Sequence, residues 1–156
     1  MENKKKVNYI YLVLYLLSIL VAYISSLQSG KISSSESGWI TDFLFKMATD
    51  LDFLKLDLDY ETLHGIVRKL FGHFGWFFVM GTFGFLTFSP FLEDRQKWLW
   101  ISLTIGMVVA ITSELMQFLA IERSPMGSDM AINFGGYLMS TLLCFLIYKI
   151  KRNNNK

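Results

Sequence analysis

The chain is poor in most of what soluble enzymes rely on. It has one cysteine, Cys144, in 156 residues. No intrachain disulfide can form, and a lone cysteine says nothing about redox compartment. Charged residues make up 18% of the chain and the net charge is +2. Without a basic stripe interleaved with aromatics, that weak balance gives no reason to expect nucleic acid as a partner. No glycine-rich phosphate loop follows a strand pattern, so nucleotide binding has no support. Ser124 and Ser128 stand in no triad pattern, which leaves covalent catalysis without an evident nucleophile. His73, Glu114 and Asp129 would be the donors for a metal, but no ligand-spacing motif joins them. Neither a metal nor a cofactor is expected.

What the chain does have is apolar sequence. Hydrophobic residues make up 53%, above a soluble domain's usual share, and they are gathered in blocks. Four blocks, about 7–27, 70–88, 98–119 and 130–148, are each long enough to cross a bilayer as a helix. The fold expected is all-α: an integral membrane four-helix bundle forming one domain over residues 1–156. The first block has no clear small-x-small cleavage site after it and reads as a retained signal anchor, with a cleaved signal as the alternative. Gly72, Gly75, Gly81 and Gly84 in the second block suit close helix contact. Trp98 and Trp100 suit an interfacial position.

Residues 28–69 form the one sizeable stretch outside the spans. The serine-rich patch 29–38 reads as a turn. After it, Ile40, Phe43, Leu44, Met47, Leu51, Leu54 and Leu58 recur every three to four residues, with Asp42, Lys46 and Lys55 mostly opposite. This predicts an extracytoplasmic amphipathic helix between the first and second spans, lying on the membrane or capping the bundle. Residues 59–69 read as a lead-in to the second span, and the basic tail from Lys149 reads as frayed. Four spans put both termini on one side. Nine of the 15 Lys and Arg residues fall there, at 1–6, 93–97 and the C-terminal end. By the positive-inside rule both termini are cytoplasmic.

The informative stretch runs from Glu114 to Gly136. It carries Glu114, Gln117, Arg123, Asp129 and Asn133 across the end of one span and the start of the next. A charge at the centre of a spanning helix costs roughly 2.5–3.5 kcal/mol to insert, so a partner or a ligand must offset part of it. At about 1.5 Å rise per residue, Glu114 lies roughly 8 Å outward of its helix midpoint, and His73 and Asn133 roughly 9 Å outward of theirs. Arg68, Lys69, Arg123 and Asp129 sit just above. The inner halves of these helices read as almost free of polar residues. Lys69 and His73 are spaced i,i+4, as are Asp129 and Asn133, and Glu114 and Gln117 are i,i+3, so each pair shares a helix face.

Each residue also has a plain structural reading. Asp129 suits a helix N-terminal cap. Asn133 and Gln117 suit interhelical hydrogen bonding. Glu114 suits pairing with Arg123, Arg68 or Lys69, and Arg68 and Lys69 suit interfacial charges. His73 resists such a reading, because a histidine inside a span faces the bundle interior or a water-filled cavity. The set Arg68, Lys69, His73, Glu114, Gln117, Arg123, Asp129 and Asn133 is the candidate ligand-binding site. Its balance suits an anionic headgroup, or the carboxylate or phosphate of an envelope precursor, with arginine as a forked donor. His73 and Glu114 are the candidates for general acid and base if they share a cavity.

Residues 68–74 (R-K-L-F-G-H-F), 114–117 (E-L-M-Q), and then Arg123, Asp129, Asn133 and Gly136 resemble the VanZ-like family in order and spacing. The resemblance covers about residues 37–140, with its specific motifs in the last two thirds. Where the family often has tyrosine this chain has Phe77, and where it often has glycine this chain has Ser140. Phe77 lacks the hydroxyl, whereas Ser140 keeps a small-x-x-x-small step with Gly136. The resemblance implies a multi-pass protein of the bacterial cell membrane, associated with the cell envelope and with resistance to teicoplanin and related lipoglycopeptides. The partners expected are membrane lipids and a lipid-linked envelope precursor or lipoglycopeptide, with oligomerisation left open. Two alternatives stand beside binding: an intramembrane enzyme modifying a lipid headgroup or cell-wall precursor, and a structural accessory subunit of an envelope complex.

Overall fold

Long apolar runs with no internal proline favour helix, and helices are what form. The computed structural model describes residues 9–50, 59–90 and 95–154. Six α-helices follow in order: α1 (Tyr9–Leu27), α2 (Gly30–Asp50), α3 (Tyr60–Val67), α4 (Trp76–Phe88), α5 (Arg95–Met116) and α6 (Gly127–Asn154). A π-helical turn, Arg68–Gly75, joins α3 to α4, and a short 3₁₀ turn, Gln117–Leu119, extends α5. Among the described residues there is no strand. Four helical stretches are long and apolar enough to cross a membrane: Tyr9–Leu27, Tyr60–Phe88, Lys97–Leu119 and Gly127–Asn154. Their most apolar windows are only 22% to 39% buried. The remainder is half-buried or exposed, with Leu16, Leu20 and Ile24 on α1 and Leu146, Ile147 and Ile150 on α6 among the exposed. On a multi-pass membrane protein those side chains meet lipid.

The bundle core is built around Tyr137 of α6. Its ring is fully buried against Gly106 of α5 and Gly84 of α4, where a Cβ would collide with it. Its hydroxyl lies 3.0 Å from that of Tyr15 and 2.9 Å from Ser102 Oγ. Gly136, beside it, lies against the carbonyl of Phe74, so a Cβ there would meet backbone. The small step to Ser140 is also used: Ser140 Oγ lies 2.7 Å from Thr82 Oγ1. Tyr15 and Ser102 correct the expectation of apolar inner halves. Tyrosine and serine read as packing residues in a hydropathy pattern, yet here they form a hydroxyl chain centred on Tyr137.

Three boundaries differ from the sequence reading. The 29–38 patch is not a turn, since α2 starts at Gly30. Serine disfavours helix because its hydroxyl competes for backbone groups. Here Ser37 Oγ lies 3.1 Å from Ser34 O and Thr41 Oγ1 lies 3.0 Å from Ser37 O, which satisfies the hydroxyls inside the helix. The second span's helix begins at Tyr60 rather than near Leu70, capped by Asp59, whose carboxylate accepts the Thr62 N–H at 2.7 Å. The basic tail is helical through Asn154, not frayed. The predicted stripe on α2 is divided: Phe43 and Met47 are exposed, with Trp39 beside them, Ile40 and Leu44 are half-buried, and Thr41 is fully buried. Leu51, Leu54, Lys55 and Leu58, residues 1–6 with their lysines, residues 93 and 94 of the charged turn, and residues 155 and 156 of the tail lie outside the described residues.

Candidate functional site

The π-helical turn Arg68–Gly75 is the local feature that builds the site. An i→i+5 turn widens the helix by one residue, and such turns occur often at functional positions. It presents Arg68, Lys69 and His73 beside the start of α6. Lys69 Nζ lies 3.7 Å from Asp129 Oδ1, and His73 Nε2 lies 3.7 Å from Asp129 Oδ2. Both side chains therefore reach one carboxylate. Asp129 is not a bare cap. It stands in the first turn of α6, is buried, and accepts a 3.1 Å hydrogen bond from Ser128 Oγ.

Deeper in, three helices meet through one amide. His73 Nδ1 lies 3.1 Å from Asn133 Oδ1, and Asn133 Nδ2 donates to Glu114 Oε1 at 3.2 Å. His73 Nδ1 is also 3.4 Å from that Glu114 oxygen. Glu114 is 1% exposed and Asn133 2%, so neither is solvated from outside the bundle. The pairings expected for Glu114 do not form. Among the described residues, His73 is the only basic side chain within ion-pair reach of it. Glu114 Oε2 has no hydrogen-bond partner there.

Arg123 answers to a different group. The chain reverses at Glu122, whose φ of 59° is left-handed, and Arg123 then reaches back to donate from Nη1 to the Ser25 carbonyl at 2.8 Å. Burial, and Arg68 nearby, push its pKa down, while Glu114 and Asp129 push it back up. An arginine keeps its charge under such pressure. Its Nε is buried without a partner among the described residues.

Two cavities meet at these side chains. The deeper one has a volume of about 440 Å³ and takes Glu114, Asn133 and Trp76 into its wall. The outer one, about 280 Å³, takes Lys69, Asp129 and Ser124. Arg68, His73, Gln117 and Arg123 line both, so all eight candidate residues border this space. One nitrogen of His73 and one oxygen each of Glu114 and Asp129 lie within 4.8 Å of one another.

Ser33 and Ser37 of α2, with Ser25 and Ser26 of α1, also line the deeper cavity and did not emerge from the sequence. Their signal was the i,i+4 spacing of Ser33, Ser37 and Thr41, which marks a small polar face on a helix read there as a turn. Trp76 was missed for another reason: an aromatic inside an apolar block carries no mark of facing a cavity. It does so here with its indole N–H donated to the Ser18 carbonyl at 3.0 Å.

The family model described as VanZ/LLP1 matches residues 9–148. No curated protein and no solved structure matches the chain.

Proposed function

The chain belongs to the VanZ/LLP1 family, and from that footing we propose that it binds the anionic part of an envelope lipid, a lipid-linked precursor or a lipid-tailed glycopeptide, and so supports tolerance of teicoplanin-type lipoglycopeptides. The observation that carries the reading is the shared wall of the two cavities. Arg68 and Arg123 stand in it and Lys69 at its outer part, while the carboxylates lie against Asn133, His73 and Lys69. Arg123 keeps an unpartnered Nε, a donor that a phosphate or carboxylate oxygen satisfies. The exposed α2 aromatics Trp39 and Phe43 suit an acyl chain beside the site. On this reading the protein sits in the bacterial cell membrane with the site outward and both termini in the cytoplasm, and Lys149, Lys151 and Arg152 near the end of α6 support that orientation.

A second reading rests on the 3.4 Å approach of His73 Nδ1 to Glu114. It gives an acid–base pair next to a cavity and would make the protein an intramembrane enzyme acting on a headgroup. The test is teicoplanin susceptibility of cells lacking the protein, complemented at matched membrane levels with wild type or Glu114→Gln. Protection by wild type and none by the variant is the expected result. Equal protection by both removes Glu114 from the function. Headgroup and precursor profiles from the same strains separate the readings: a product that appears with wild type alone makes the protein an enzyme.

A further inference from the structure

We infer that His73, Glu114 and Asp129 form a binding site for a divalent transition-metal cation. The proposal stands on the hydrogen-bond chain around His73 and is independent of anion binding. An ionised Glu114 accepts only, so the Asn133 amide must point its NH₂ at Glu114 Oε1 and its oxygen at His73. His73 must then donate from Nδ1. That fixes the tautomer and leaves Nε2 of a neutral ring with a bare lone pair, aimed at Asp129 Oδ2 across 3.7 Å. A bare lone pair and a carboxylate oxygen at that separation are reconciled by a positive charge between them, a proton on the ring or a metal ion bound to both. With metal–ligand bonds of about 2.1 Å, one ion bound tetrahedrally to both would hold them about 3.4 Å apart, so the observed 3.7 Å needs only a small approach.

Glu114 supplies the independent observation. Its carboxylate is almost fully buried in the wall of the deeper cavity, and Oε2 has no partner among the described residues. A negative oxygen held there without a donor is costly, and a cation shared with His73 and Asp129 satisfies it. Donor atoms of all three residues already lie within 4.8 Å of one another. Two carboxylates offset the charge of a divalent ion. One imidazole with two carboxylate oxygens suits zinc, manganese or iron rather than magnesium or calcium. The surroundings match a metal site: Asn133 orients the histidine from behind, and Lys69 and Ser128 hold the other Asp129 oxygen. Three protein donors leave a coordination position open.

The experiment uses the full chain in detergent, stripped with chelator and then titrated with Zn²⁺ and Mn²⁺ separately, with bound metal counted by mass spectrometry of the element. Wild type is expected to hold one equivalent of at least one cation and to melt at a higher temperature when loaded. His73→Ala and the near-isosteric Asp129→Asn are expected to bind at least about tenfold more weakly, and Asn133→Ala about 10–100-fold more weakly through loss of orientation. His64→Ala, at the only other histidine, is expected to bind as wild type does. Folding is checked by size exclusion and circular dichroism. The proposal is overturned if folded wild type takes up neither cation stoichiometrically, or if whichever of His73→Ala and Asp129→Asn folds binds as wild type does. Loss of binding in His64→Ala alone overturns it as well.

Discussion

Two buried polar regions share this bundle and are built on opposite terms. Around Tyr137 the groups are neutral hydroxyls, each within hydrogen-bond distance of a partner, with glycines bringing the helices close enough to leave no room. Around His73 the groups are ionisable, the helix is widened by a π turn, two cavities open, and Glu114 Oε2 and Arg123 Nε are left without partners. A satisfied neutral network locks helices at low cost. A charged, partly satisfied one is expensive to bury and persists where something else completes it. Polarity inside a membrane bundle is therefore not by itself the mark of a site; incompleteness is.

The largest expected effect breaks the closed region. Gly136→Leu forces a side chain into the Phe74 carbonyl, which no rotamer avoids, so α6 cannot dock on the π turn that leads into α4. The yield of monodisperse protein on size exclusion should fall to near zero.

Next is a pair that separates the regions. Tyr137→Phe removes a hydroxyl placed between Tyr15 and Ser102, with an expected loss of about 1 kcal/mol, typical of a hydrogen bond between membrane helices. Protection against teicoplanin should remain. Glu114→Gln should do the reverse: melting temperature of the metal-free protein little changed, because the amide keeps an oxygen for Asn133 Nδ2 and removes a charge whose Oε2 has no partner among the described residues, and protection lost. Measured together on thermal melts and susceptibility, equal patterns for the two variants would dissolve the distinction.

A smaller effect sharpens it. Arg123→Lys keeps the positive charge but loses the planar fork that now serves the Ser25 carbonyl. Protection should fall to a level between wild type and Arg123→Gln, with little change in melting temperature.

The smallest lies outside both regions, at the exposed cap of α3. Its hydrogen bonds to Thr62 hold the Asp59 carboxyl below its ordinary value of 3.8. Because the folded value is the lower one, this stabilisation is fully present above the ordinary value and disappears as pH falls through the depressed one. The protection factor of the Thr62 amide, with the intrinsic pH dependence of exchange divided out, should be unchanged by moderate acid and fall only below the usual carboxylate range. Asp59→Ala should lower it above that range and match wild type below it, leaving the His73 cluster untouched.

How far the sequence reached follows the same division. Apolar runs gave the four spanning helices, because hydrocarbon length and the need to satisfy backbone groups internally leave a chain few options. The eight polar candidates could be singled out because charged and amide side chains are conspicuous against apolar sequence, and antiparallel order puts them at one depth. The α2 patch failed because serine's helix preference is a weak term that intrahelical hydroxyl bonds and packing overrode. The Tyr15–Ser102–Tyr137 chain was hidden because hydropathy scores those residues as nearly neutral.

By itself, then, the sequence determined an all-helical membrane bundle, its four spans and the shared layer in which its costly side chains lie, since each follows from the free energy of moving one residue type from water to lipid. Which of those side chains meet was decided only in the tertiary structure. Glu114 turned to Asn133 and His73 rather than to an arginine, Arg123 turned to the Ser25 carbonyl, and Asp129 took both Lys69 and His73. Pairing depends on differences of an ångström in how a π turn, a left-handed residue and three glycines let the helices approach, and no spacing rule along the chain carries distances that fine.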